Sequence, residues 1–216
     1  MRRTGIFLAT CLLTAAVAAA APAAGNHPLP SAELQQALAA QTTRAQAGNK
    51  DLSALSADLR RIAPRDPVAQ FMLATLIATS QRSEALELLR QSAAAGCTGA
   101  MGALGTLLAT DENPEARDWI QRAAMNGDTG AQIMLSAGYR NGVFGLPQDM
   151  VEAFAWATVA QNNAPTFSMR QAAATAVGTL LTSTDPQMLD GATSRIEALM
   201  KQVPKLEWHL CGFSLP

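Results

Sequence analysis

Cys97, His209 and Cys211 are the side chains of this chain best suited to bond-making chemistry, with Glu207 close to His209. A thiol beside an imidazole can serve as a nucleophile and its base, and the same two residue types ligate structural zinc. Neither chemistry is completed. A closed zinc site takes four ligands, and beyond residue 23 the Cys and His residues are only His27, Cys97, His209 and Cys211, dispersed along the chain. Nucleophilic catalysis also needs an oriented base and an oxyanion site, and no motif signals either. Asp111, Glu112, Glu115 and Asp118 stand where a helix should start, so they read as solvated acids that complement the helix dipole. Gly102 and Gly105 do not form a phosphate-binding loop and read as points of close helix contact. Cleavage after Ala24 would expose Gly25-Asn26-His27, whose amine, amides and imidazole can chelate Cu(II). That cut places Pro22 where signal peptidases disfavour it, so His27 reads as a linker residue before Pro28 and Pro30. The residues therefore lead to an expectation of no catalytic group, no metal site and no cofactor.

The elements that would position any site are helices. About a fifth of the 216 residues are alanine, which favours helix, and only 5% are aromatic. Sixteen basic against 17 acidic side chains leave a charge of -1 without a basic cluster, which argues against nucleic-acid binding. Arg2 and Arg3 followed by the uncharged run Ile6 to Ala20 and the small residues Ala21-Pro22-Ala23 predict a secretory signal peptide over residues 1–23. The run is too short for a spanning helix, so no membrane span is expected after cleavage. Removing Arg2 and Arg3 leaves 14 basic and 17 acidic residues, a charge of -3.

Self-similarity organises the rest. Ala69, Ala100 and Ala131 are 31 residues apart, as are Leu73, Leu104 and Leu135. The register continues through Ala85 with Ala116, Leu88 with Trp119, Leu89 with Ile120, and Gly96 with Gly127. In the third copy the second half comes six residues late, so Ala116, Trp119 and Ala123 correspond to Ala153, Trp156 and Ala160. The insertion, about Gly142 to Gln148, contains Gly and Pro and reads as a loop. Each unit reads as two helices. Thr98 opens one that runs to about Ala109, Asn113-Pro114 opens the next, and Gly127 closes it; Asp66-Pro67 and Gly96 repeat this grammar one period earlier. The expected fold class is all-α, an α/α solenoid of stacked helical hairpins.

Ala131, Leu135, Tyr139, Gly142, Gly145-Leu146-Pro147-Gln148-Asp149, Glu152-Ala153, Trp156 and Ala160 resemble a Sel1-like repeat, a relative of the tetratricopeptide repeat. The copy departs at Ser136 and Phe144, where that family often has glycine, and in a loop about one residue longer than the commonest form. The two upstream units keep the Ala, Leu and Trp framework without the extended loop. The resemblance spans about residues 66–164, and implies a superhelical scaffold for protein interaction whose shared residues are structural.

Around the repeats, 24–65 reads as a linker and a degenerate N-terminal hairpin (31–47 and 51–63), 165–203 as C-terminal capping helices (167–182 and 185–202), and 204–216 as an apolar tail. Leu206, Trp208 and Leu210 alternate, and with Phe213 they either cap the last hairpin or dock into a partner. Trp119, Trp156 and Tyr139 could line a ligand groove, but their repeat positions favour core packing. Two or three hairpins separate Cys97 from Cys211 in a linear stack, so an intramolecular disulfide requires the tail to fold back along the solenoid, and unpaired or intermolecular thiols are expected ahead of it. The function expected is a non-catalytic scaffold, secreted through the inner membrane into the periplasm, that binds a protein or peptide. The alternative is an envelope enzyme resembling cysteine-rich Sel1-like β-lactam-binding proteins, although this chain lacks their regular cysteine pairs and any Ser-x-x-Lys element.

Overall fold

The computed structural model describes residues 28–183, 185–205 and 211. The expected signal peptide, His27, His209 and the tail residues Leu206, Trp208, Leu210 and Phe213 lie outside the described residues. Among the described residues there are ten α-helices and no strand: α1 Ala32–Gln46, α2 Ser53–Ile62, α3 Pro67–Ile77, α4 Arg82–Ala94, α5 Thr98–Ala109, α6 Glu115–Met125, α7 Thr129–Asn141, α8 Met150–Asn163, α9 Phe167–Ser183 and α10 Pro186–Gln202. A short 3-10 turn, Ala63–Arg65, joins α2 to α3.

Their boundaries follow from side chains that satisfy free helix amides. Ser31 accepts from Leu34 N, Asp66 from Val68 N and Ala69 N, Asp128 from Ala131 N, Asp149 from Val151 N and Glu152 N, and Asp185 from Gln187 N. Pro67 and Pro186 occupy first turns, where the missing N–H costs nothing. Gly96 and Gly127, one period apart, have φ of 92° and 91°, a backbone that side chains with a Cβ resist, and so end α4 and α6 alike.

The helices form two compact units, residues 28–97 with Cys211, and residues 98–205. In the first, α1 packs on α2, α2 on α3 and α3 on α4. Leu34, Leu55, Leu59, Ile62, Met72 and Leu73 are fully buried between them. Ser31 N donates to Asp66 Oδ2 at 2.7 Å, tying the start of α1 to the start of α3. Cys97 and Cys211 are both fully buried and joined as a disulfide, with Cα atoms 4.3 Å apart. This corrects the expectation of unpaired or intermolecular thiols. Counting hairpins measures separation only while the chain keeps to the stack, and beyond α10 it returns to Cys97.

In the second unit α5 packs on α6, α6 on α7, α7 on α8, and α8 also on α9 and α10. The repeat positions are the interior: Ala100, Leu104, Ala116, Ile120, Ala123, Ala131, Leu135, Ala153 and Ala160 are all buried. Each buried leucine contributes roughly 2 kcal/mol, whereas the alanines contribute little and chiefly set how closely the helix axes approach. Gly105 is the closest such point, since a Cβ there would stand 2.7 Å from Ile120 Cγ1 and 3.0 Å from Ile120 N. At Gly102 the neighbour is instead the Asp128 carboxyl, 3.2 Å from a built Cβ.

Candidate functional site

The inserted loop between α7 and α8 makes the most structured surface feature of the second unit. Gly142, at φ 66°, turns the chain out of α7, and its N–H donates to Gly138 O. Asp149 then starts α8, while its own N–H donates to Tyr139 O at 2.8 Å. Between them Leu146 turns inward and is buried against Gly138, where an added Cβ would come within 2.8 Å of Leu146 Cδ1 and 3.1 Å of Phe144 Cδ2. Phe144 has φ 59°, which explains why related loops favour glycine here. Packing of its ring on Gly138 offsets a backbone strain of about 1 kcal/mol or more. Arg117 of α6 reaches across and donates to Gly145 O at 3.3 Å.

Loop and α5–α6 turn together enclose an open cleft of about 620 Å³, walled by Glu112, Pro114 and Arg117 on one side and by Val143, Phe144 and Gly145 on the other. Glu112, at φ 54°, and Phe144 are the two non-glycine residues with left-handed backbone among the described residues, and they face the same cleft. Such strain is retained where surrounding structure holds it, most often at ligand-binding positions. Val143 is 42% exposed at the rim. The cleft thus offers an aromatic ring, an exposed aliphatic side chain, one acid and one guanidinium. Those groups can grip a polypeptide through apolar contact and opposite charges.

A second polar cluster lies nearby on α6, α7, α8 and α10. Arg195 forms a two-point ion pair with Glu152, Nε to Oε1 and Nη2 to Oε2, linking α10 to α8. Tyr139 hydrogen-bonds the Gln121 side chain and sits close to that pair. Burial first, and then the Glu152 carboxylate, push its hydroxyl above the usual tyrosine range, against the pull of Arg195. The cluster is satisfied internally and reads as a clasp between helices. Among the described residues no group of three or more His, Cys, Asp or Glu side chains could hold a metal ion.

The residues singled out by sequence separate by role. Ala131, Leu135, Ala153 and Trp156 are buried, Trp156 at 4% exposure, and Asp149 and Gly142 frame the loop. Tyr139 is half-buried in the clasp. Trp119 differs from the expected core position: it is only partly covered, with the Arg122 guanidinium over its ring at 5.0 Å. Within the unit α6 packs chiefly on α5 and α7, whereas α8, which carries the buried Trp156, packs on α7, α9 and α10. Sequence reasoning missed the cleft. The one available signal was Phe144, a bulky residue standing where the repeat usually has glycine.

The sequence matches no protein-family model and no curated protein. Among solved structures, the chain is similar to a protective antigen present in uropathogenic Escherichia coli strains and described as displaying an SLR fold. The match has a TM-score of 0.66 and 21% sequence identity, and covers 78% of this chain and 39% of the antigen. This likeness shows the fold, the all-α solenoid of Sel1-like repeats, and the chain spans well under half the length of the protein it matches.

Proposed function

We propose that this SLR-fold chain is an exported, non-catalytic scaffold that binds a protein or peptide through the cleft between the α5–α6 turn and the α7–α8 loop. The observation that carries the proposal is the pairing of Glu112 and Phe144, two strained residues that shape one cleft of peptide-sized volume. The cleft suits a short polypeptide segment with an apolar anchor. Val143 and Phe144 supply the apolar surface, while Glu112 and Arg117 supply charges that fix its direction. Export is supported by the basic start and apolar run of residues 1–23, and by the Cys97–Cys211 disulfide, which persists in oxidising compartments such as the periplasm. No helix among the described residues is long and apolar enough to cross a membrane.

Placing a photoreactive amino acid at Val143 in growing cells tests the site, with Lys50 of the first unit as the control position. The proposal expects an adduct with one envelope protein from position 143 and none from position 50, and an adduct weakened by Arg117→Ala. Equal labelling from both positions would overturn the cleft as the binding site. Turnover of a chromogenic β-lactam by the purified chain would contradict the non-catalytic part of the reading.

A further inference from the structure

The walls of the cleft are unevenly charged. Segments 109–118 and 140–149, which form them, carry five acids against two arginines. Both arginines are engaged. Arg117 Nη1 donates to Gly145 O at 3.3 Å and its Nε lies 3.5 Å from Asp118 Oδ1, while Arg140 Nε donates to Asn141 Oδ1 at 3.3 Å. Asp149 is taken up by the amides of Val151 and Glu152. Glu112 differs from all of these. It is exposed, it lines the cleft, and its carboxylate has no hydrogen bond or ion pair among the described residues. Helix ends add to its sign. α5 ends at Ala109 and α7 at Asn141, and both Ala109 and the capping Gly142 border the cleft, so the negative ends of two helix dipoles meet there. The N-terminus of α6, which also borders it, carries Glu115 and Asp118 in its first turn, and these offset its positive sign. Pro114, Val143 and Phe144 make up the apolar part of the wall.

We propose that the polypeptide segment held here is cationic: a large apolar residue seated on Pro114, Val143 and Phe144, with a neighbouring Lys or Arg that pairs with Glu112. This rests on the reading of the cleft as a polypeptide site and adds the chemistry of its occupant. The ground for it is complementarity of charge. An acidic segment would bring like charge to Glu112 and to two helix C-termini, whereas a basic one supplies the counter-charge that the walls lack. Lys and Arg also suit an acid set beside apolar surface, because their aliphatic stems cover the apolar wall while the charged head stays in water. Such charges act on the choice of partner more than on raw affinity. The pair is exposed and screened by salt, so inverting its sign is expected to change affinity about fivefold at low ionic strength.

The test titrates the mature protein with two labelled peptides that share a Leu-Phe anchor and differ only in the flanking residues, Lys in one and Glu in the other, with binding read by fluorescence anisotropy. The Lys peptide is expected to bind about fivefold more tightly than the Glu peptide, and Glu112→Lys should abolish or invert that preference. Glu87→Lys changes the net charge equally at an exposed position on α4 of the first unit, and should leave the preference as it was. Val143→Ser should weaken both peptides alike. Equal affinity for the two peptides, with both weakened by Val143→Ser, overturns the charge assignment and leaves the cleft reading standing. A preference that persists in Glu112→Lys, or that falls as far in Glu87→Lys, also overturns the charge assignment, since net charge alone predicts that result. Affinities untouched by Val143→Ser overturn the cleft reading and this proposal with it, and a wild type that binds neither peptide overturns the proposal.

Discussion

Reducing the Cys97–Cys211 disulfide should destabilise the segment it encloses by several kcal/mol. The two cysteines are 114 residues apart, so the bond closes a loop containing every helix from α5 to α10. In the chain-entropy account, cross-linking a loop of that length removes about 16 cal/mol/K from the unfolded ensemble, or ~5 kcal/mol at 25 °C. Measured disulfides often deliver less, so the expected loss is ~3–5 kcal/mol. At a denaturant dependence of ~2 kcal/mol/M for urea, this lowers the unfolding midpoint by about 2 M. Both cysteines are fully buried, and reduction leaves their packing in place, so oxidised and reduced wild type is the cleanest comparison. A Cys97→Ala, Cys211→Ala double variant checks it without burying new hydroxyls. All three tryptophans, at 119, 156 and 208, lie within the loop, so urea melts followed by fluorescence report the enclosed segment. Alkylation before and after reduction, followed by mass measurement, establishes the oxidised state of the starting material. Midpoints that agree within about 0.3 M would correspond to less than 1 kcal/mol and refute the reasoning. So would alkylation of both thiols in non-reduced folded protein.

Three further outcomes follow from the packing and the charges. Trp156→Ala should cost ~3–5 kcal/mol in urea melts, the usual penalty for emptying a buried aromatic site, whereas Trp119→Ala should cost less because that ring is only partly covered. Gly105→Ala should destabilise by ~1–3 kcal/mol despite the better helix propensity of alanine, because its Cβ would press on both the side chain and the backbone of Ile120; a more stable variant would refute the contact. Desolvation holds the Asp128 carboxyl above its usual pKa, outweighing the hydrogen bonds from Ala131 N and Gly130 N. The folded state therefore binds this proton more tightly than the unfolded chain, and stability falls as pH rises from the usual carboxyl value through the raised one. Asp128→Asn keeps an N-cap and should flatten that fall, measurable as the change in urea midpoint between pH 4 and pH 7; an unchanged slope would contradict it.

Much of the helical grammar was legible because it is local. Thr98 and Ala109 bound α5 as read, and Asp66-Pro67 and Asp185-Pro186 open α3 and α10 through carboxylates that accept free amides. The 31-residue period located the interior, since Ala and Leu at fixed intervals must face the neighbouring hairpin. What escaped depends on chain segments that periodicity does not relate. A repeat gives a residue's face but not how many helices cover it, which is why Trp119 and Trp156 were read alike and differ. The cleft arises where two turns about 30 residues apart approach, and the positive φ of Glu112 leaves no mark in its residue type. The disulfide lies outside the period altogether, because nothing in residues 204–216 repeats.

The central claim, that the cleft beside the α7–α8 loop binds a polypeptide, is tested most directly by affinity capture from crosslinked envelope extract with the wild-type chain and with Val143→Glu. Val143 is exposed at the rim, so the substitution leaves the core untouched. A partner that is recovered with the wild type and lost with Val143→Glu, while both variants melt at the same urea concentration, is the predicted result. Recovery of the same proteins in equal amount by both, or of the chain itself and nothing else, would contradict it.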